Sequence, residues 1–326
     1  MCTCISFTAK SHYFGRNLDL NYSYEESIAV MPRRYKLRFR NGRELEKHAA
    51  MIGMAFVLDG YPLYYDAVNE YGLAMAGLNF PENSFFEKPE ETPDRDLVAP
   101  FEFIPWILSQ CRDRKEAEKL LRRVTLAEIS FSEKLPIAPL HWMLSDKTGS
   151  TVIEPLRDGL HVYHNPIGVM TNNPPFDYQL LHLAQYRNVT PGERAPSFAA
   201  DVDLPRFCAG MGGIGLPGDL SSPSRFVRAA FAKLNSICGD SEESAVSQFF
   251  HILSSVEMPR GCCRLEDGSY DITVYSSCMN QDTGMYYVKT YDNSQIAAVS
   301  LQRENLDGTA LSRFSVPVPQ QMQMLN

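Results

Sequence analysis

No run of apolar residues in this 326-residue chain is long enough to span a bilayer. The amino terminus, Met1-Cys2-Thr3-Cys4-Ile5-Ser6-Phe7, has neither the basic n-region nor the apolar core and small-residue cleavage site of a secretory signal. A cytoplasmic protein without membrane contact is therefore expected. Basic charge is also short. Lys and Arg number 31 against 39 Asp and Glu, a net charge of -8, which speaks against a nucleic-acid partner. The densest basic segment, Arg33 to Arg40, alternates charged and apolar residues in its second half and reads as a solvated strand edge.

Metal-ligand spacing is missing too. There is no Cys-x-x-Cys, and Cys2/Cys4 and Cys262/Cys263 are wrongly spaced for zinc. His161 and His164 fall in a strand-like segment, where that spacing sends them to opposite faces. No metal and no cofactor are expected. Eight cysteines in a chain of this length, without a secretory signal, are expected to be reduced thiols. No repeat, low-complexity stretch or flexible linker divides residues 1–326, which predicts a single domain. Gly210-Met211-Gly212-Gly213-Ile214-Gly215 matches a dinucleotide fingerprint by letter, but no apolar strand precedes it and Leu216-Pro217-Gly218-Asp219 follows where a helix should open. It reads as a glycine-rich loop.

The first quarter is rich in β-type runs. Cys2 to Ala9 and Tyr13 to Arg16 form a hairpin, followed by Ser27–Met31, Met51–Leu58, Leu63–Val68 and Leu73–Leu78. Helical spacing takes over in Phe101–Gln110 and Arg114–Val124, where Ala117, Leu120 and Leu121 share a face. Strand-like runs return at Trp142–Ser145, Thr151–Glu154, His161–Tyr163 and Gly168–Thr171. Ser222-Pro223 opens a helix to about Ile237, and Asp240 or Ser241 caps another carrying Val246, Phe249, Phe250 and Ile252. Runs at Ile272–Ser277, Met285–Thr290 and Ile296–Leu301 close the chain. Strand blocks alternating with helix pairs, without a regular βαβ rhythm, predict antiparallel sheets covered by helices.

Cys2 carries the strongest chemical implication. Initiator methionine is commonly trimmed before a small residue, and trimming would leave a thiol and a free α-amine on one residue. An α-amine has an unperturbed pKa of about 7.7 to 8.0, near that wanted of a general base at neutral pH. One residue then supplies both nucleophile and base. Phe14-Gly15-Arg16-Asn17-Leu18-Asp19 brings a cation and a carboxylate to the neighbouring strand. Arginine near a thiol favours the thiolate, and Asp19 is suited to orienting the amine.

These blocks resemble the choloylglycine hydrolase family of N-terminal nucleophile hydrolases, which holds the bile salt hydrolases and the penicillin V acylases. The likeness starts at Met1-Cys2-Thr3 and Phe14 to Asp19. It continues through Tyr61 to Glu70, Gly72 to Pro81, Leu140-His141-Trp142, Thr171-Asn172-Asn173-Pro174, Gly215 to Asp219 and Ser222 to Phe226. Tyr286-Tyr287, Thr290-Tyr291 and Glu304 to Gly308 complete it. The resemblance implies an α+β fold, a four-layer αββα sandwich of two antiparallel sheets between helix layers. It implies Cys2 as nucleophile and its amine as base, with Arg16 and Asp19 setting their ionisation and geometry. Asn79, through its backbone N–H, and Asn172, through its side chain, would form an oxyanion hole braced by Arg225.

Within that family, asparagine at position 79 resembles the bile salt hydrolases, whereas penicillin V acylases commonly carry tyrosine. The implied activity is hydrolysis of glycine- and taurine-conjugated bile salts, by an enzyme that is usually a homotetramer in the family. A pocket for a rigid steroid should be apolar with few polar groups, and Leu18, Tyr24, Tyr65, Phe131, Leu135 and Leu140 are its candidate lining. The competing readings are a penicillin V acylase or other N-acyl amide hydrolase, and a catalytically silent binder of apolar ligands.

Overall fold

The computed structural model describes residues 1–89, 96–196, 198–317 and 319–326. The amino-terminal third contains β1 (Cys2–Thr8), β2 (His12–Leu20), β3 (Ser27–Met31), β4 (Leu37–Arg38), β5 (Glu44–Leu45), β6 (Met51–Leu58), β7 (Tyr61–Asn69), β8 (Ala74–Asn79) and β9 (Asp96–Val98). Helices α1 (Phe103–Gln110) and α2 (Arg114–Leu121) follow, then β10 (Val124–Leu126), β11 (Leu140–Asp146), β12 (Gly149–Leu156), β13 (Gly159–Asn165) and β14 (Val169–Met170). The remainder holds α3 (Phe176–Leu183), α4 (Ser222–Asn235), α5 (Glu242–Ser254), β15 (Ile272–Asn280), β16 (Met285–Thr290), β17 (Asn293–Ser300) and β18 (Ser312–Ser315).

Two large sheets stand face to face. One has the order β14-β1-β2-β15-β16-β17, the other β13-β12-β11-β8-β7-β6-β3-β18, and all their neighbours run antiparallel. Helices α4 and α5 cover the outer face of the first sheet, and α1 and α2 that of the second. The αββα sandwich expected from the resemblance is the observed architecture. Two apolar clusters fill it. One includes Ile5, Phe14, Met143, Phe226, Phe249 and Leu253, and the other includes Trp106, Ile107, Leu121, Trp142 and Ile153.

Sheets covered on both faces lose the alternation of a half-solvated strand. All nine residues of β15 are buried, as are Cys2 to Ile5. Close packing also explains Gly15: a Cβ there would lie 2.0 Å from the carbonyl oxygen of Ser277 in β15, so no larger residue fits without moving backbone.

Boundaries differ from expectation where tertiary pairing overrides local pattern. The second strand runs to Leu20 rather than Arg16, because β15 pairs along it as far as Leu20. Helix α2 is capped by Asp113, whose side chain accepts from the Glu116 amide, and it ends at Leu121. Val124, expected in that helix, instead starts β10 and pairs in parallel with Asp96. Helix α4 ends at Asn235, and Ile237 lies beyond it, exposed. The Ser241 side chain caps α5 by accepting from the Ser244 amide. Helix α3 had no counterpart among the expected elements. The segment Arg33 to Arg40 includes strand β4, paired with β5; Lys36 and Arg38 meet Glu44, while Leu37 and Phe39 are buried.

Candidate active site

Antiparallel register and the two-residue repeat of a strand sort the amino-terminal hairpin into two faces. Cys2 stands opposite Leu18 and Cys4 opposite Arg16, whereas Thr3 stands opposite Asn17. The first four face the eight-stranded sheet. Thr3, Asn17 and Asp19 face the helices.

On the inner face, the Cys2 sulfur is buried and accepts a hydrogen bond from Arg16 Nη2 at 2.5 Å. Arg16 is wholly buried, and its Nη1 donates to the Gly77 and Tyr65 carbonyls at 2.5 and 3.2 Å. The guanidinium thus bridges the two sheets beneath the thiol. Burial would lower its pKa, but the Cys2 sulfur, Tyr275 and Asp66 reverse that and hold it above its ordinary value. Asp66 accepts from Tyr275 and Tyr286 hydroxyls at 2.6 and 2.7 Å, and burial pushes its carboxyl up.

On the outer face, Arg225 of α4 is also wholly buried. Its Nη1 donates to the Cys2 carbonyl and Thr3 Oγ1 at 2.5 and 2.6 Å, and its Nη2 to Asn172 Oδ1 at 2.7 Å. Burial lowers its pKa against the pull of Asp19, whose Oδ2 lies 3.9 Å away. Asp19 Oδ1 accepts from Thr273 Oγ1 at 2.6 Å, while Oδ2 is buried without a hydrogen-bond partner. Burial raises the Asp19 carboxyl, opposed first by Arg225 and then by the terminal amine. Arg16 and Asp19 are therefore not one pair beside the thiol. They serve opposite faces of the strand.

Asn172 joins the two faces. Its Oδ1 accepts from the Cys2 amide at 2.8 Å and from Arg225, so its Nδ2 must point the other way, and it donates to the Asn79 carbonyl at 2.7 Å. Its own amide donates to Ser222 Oγ at 2.8 Å. The preceding Thr171 carbonyl lies 2.8 Å from Nε2 of His141, a buried ring stacked on Phe80 and paired through Nδ1 with Glu154 at 3.1 Å. The six expected residues Cys2, Arg16, Asp19, Asn79, Asn172 and Arg225 are thus brought into one cluster.

Above Cys2 opens a cavity of about 430 Å3, and Leu18, Tyr24, Tyr65, Phe131, Leu135 and Leu140 all line it. Leu20, Phe56, Phe101, Ile129 and Ile137 line it as well, without having been singled out in the sequence. Among the described residues its wall includes Arg16 but no His, Asp, Glu or Lys. Thr273, Asp271, Asp66 and Ser222 are among the polar residues of the cluster that were not singled out from sequence. Asp66 and Ser222 lie inside the blocks Tyr61 to Glu70 and Ser222 to Phe226 and are carried in by β7 and α4. Asp271 and Thr273 lie outside every block, and only the return of β15 beside β2 brings them in. Among the described residues, no group of three His, Cys, Asp or Glu stands together as a metal site, and no helix is long and apolar enough to cross a membrane.

Residues 2–314 match the profile of the linear amide C–N hydrolases, choloylglycine hydrolase family. The protein is by class a hydrolase acting on the C–N bond of linear amides. It belongs to the choloylglycine hydrolase family. The chain is 50% identical over 314 residues to a bile salt hydrolase/transferase of Lactiplantibacillus plantarum, covering 96% of each. Its structure superimposes on that of a C2A mutant of the conjugated bile acid hydrolase from Clostridium perfringens with a TM-score of 0.93 and 36% identity, over 100% of both chains. A penicillin V acylase from Agrobacterium tumefaciens shares the fold, with a TM-score of 0.77 and 19% identity over 96% of this chain and 91% of that one.

Proposed function

We propose that this chain hydrolyses the amide bond of glycine- and taurine-conjugated bile salts through a thioester on Cys2, after loss of Met1. The observation that supports the reading is the Cys2 sulfur in the wall of a largely apolar cavity whose lining, among the described residues, offers no side-chain base. That leaves the α-amine of Cys2 to take the thiol proton. The sulfur then attacks the scissile carbonyl, and the oxyanion that forms is met by the Asn79 amide and the Asn172 Nδ2 hydrogen not given to the Asn79 carbonyl. Each such donor is typically worth about 3 kcal/mol in the transition state. The ammonium returns its proton to the departing glycine or taurine nitrogen, and water cleaves the thioester. Arg16 holds the sulfur, Asp19 the amine, and Arg225 braces the Cys2 carbonyl and Asn172.

The cavity lining suits a steroid: aromatic and aliphatic side chains with a few hydroxyl and amide groups. The 50%-identical relative named as a bile salt hydrolase/transferase supports the substrate class, as does asparagine rather than tyrosine at position 79. The same thioester would pass its acyl group to a competing amine. Residues 1–326 form a single domain, active in the cytoplasm once Met1 is removed, a reading supported by eight free cysteines. Homotetramer assembly is part of the proposal, and exposed Leu181, Phe198, Phe207 and Ile214 supply apolar surface for it.

The test is release of glycine and taurine from paired conjugates, set against release of phenoxyacetate from penicillin V, with intact mass recorded for each preparation. Bile salt turnover that disappears in Cys2→Ser is expected. Penicillin V as the preferred substrate would reassign the enzyme within its family, and binding without turnover by protein starting at Cys2 would make it a silent binder.

A further inference from the structure

With Met1 in place, the chain terminus is stitched into the hairpin. The Met1 amine donates to the Asp19 carbonyl at 2.6 Å and to Asp271 Oδ2 at 3.1 Å, and the Met1 carbonyl accepts from the Asp19 amide at 2.9 Å. Asp271 sits just before β15 and is buried, and Met1 is its only ion-pair partner among the described residues.

The charges around this point are matched in pairs. Arg225 faces Asp19, Arg16 faces Asp66 and the Cys2 sulfur, and the terminal ammonium faces Asp271. Cys263, whose carbonyl accepts from the Asp271 amide, is the remaining titratable group near the amine. Trimming Met1 takes the ion-pair partner away from Asp271 and leaves it only the longer-range field of Arg225, and a buried carboxylate short of compensation is costly. Arg225 acts on Asp271 only from beyond ion-pair distance, and the hydrogen bonds of both arginines go to other groups. The one cation the trimmed protein gains is the new α-ammonium of Cys2, one residue step of about 3.8 Å between α-carbons further along the strand. The vacated ammonium position is lined by Asp271 Oδ2 and the Asp19 carbonyl, and Asp19 Oδ2, on the same residue, accepts no hydrogen bond.

We propose that Asp271 is a positioning residue for the reaction: it holds the freed Cys2 amine, through one water in the place left by the Met1 ammonium. This rests on the reading of Cys2 as nucleophile and base, and it adds a second carboxylate to Asp19. Water bridges of this kind hold polar groups nearly as well as direct hydrogen bonds. A carboxylate at this point favours the ammonium over the amine. Since the base works as the neutral amine, Asp271 sets where the acid limb of the pH profile falls.

The experiment uses full-length protein shown by intact mass to begin at Cys2. Asp271→Asn is expected to lower kcat about tenfold or more with KM nearly unchanged, and to move the acid limb of kcat/KM to lower pH by half a unit or more. Asp271→Glu should restore the limb toward its original position. A limb that stays put, or a kcat within twofold of the parent, overturns the proposal. If Asp271→Asn does not fold, Asp271→Ser, which leaves room for water, is read the same way, and failure of both to fold assigns Asp271 to structure alone. Inactivity of the parent protein starting at Cys2 would instead sink the thioester reading itself.

Discussion

The side chain of Asn172 donates from Nδ2 to the main-chain oxygen of Asn79 at 2.7 Å, while its Oδ1 is held by the Cys2 amide and Arg225. Three partners fix the amide plane and leave one N–H unassigned. Asn172→Ala removes that donor and is expected to lower kcat about 100-fold or more, with little change in KM. Steady-state kinetics checks it, and a loss under threefold would take Asn172 out of the oxyanion hole.

Protein that retains Met1 should show no turnover, because the nitrogen of Cys2 is then an amide that donates to Asn172 and cannot accept a proton. Preparations with known fractions of retained Met1, measured by intact mass, should lose activity in proportion. Full activity in a wholly Met1-bearing sample would contradict the mechanism.

Phe131 packs edge-on against Phe101 at 5.2 Å and lies under the Arg40 guanidinium, 5.4 Å from its ring centre. Truncation to alanine removes apolar surface from the cavity, worth about 1.5 to 3 kcal/mol for a fully buried phenylalanine. We expect kcat/KM for bile salt conjugates to fall about tenfold or more, through KM. A fall carried by kcat alone would place Phe131 outside the acyl pocket.

Glu102 supplies a pH signature in stability. It is buried beneath the same wall, accepts from the Arg40 and Ala99 amides, and burial pushes its pKa up to about 7 from 4.5. The folded protein therefore binds this proton more tightly than the unfolded chain. The sign follows: stability falls as pH rises through the window from 4.5 to about 7. The bound is roughly 3 kcal/mol. Denaturation across this window should show that slope in the wild type and a flatter one in Glu102→Gln. Equal slopes would remove Glu102 as its source.

Much of the site was legible because its residues sit in short local blocks. Arg16 and Asp19 flank Leu18 in one strand, Asn172 precedes a proline pair, and Arg225 follows the Ser-Pro that opens a helix. What the blocks did not show was orientation. From sequence, Arg16 and Asp19 both looked like neighbours of the thiol, but a separation of three in a strand sends them to opposite faces. The missed helix α3 begins directly after Pro174-Pro175 with no side-chain N-cap bond, so its start carried no capping signal to read.

By itself the sequence determined the chemistry on offer: a thiol next to the chain terminus, two arginines, two asparagines and an aspartate, with apolar runs enough for two sheets. Those are properties of residue type and local spacing, which survive without a fold. Tertiary structure alone decided which groups meet. It put Asp271 against the terminal amine, Thr273 on Asp19 and Tyr275 on Asp66, because β15 returns beside β2 some 250 residues along the chain. It also left Asp19 Oδ2 without a hydrogen-bond partner, 3.9 Å from Arg225 Nη1. That follows from burial and register, which no stretch of sequence encodes on its own.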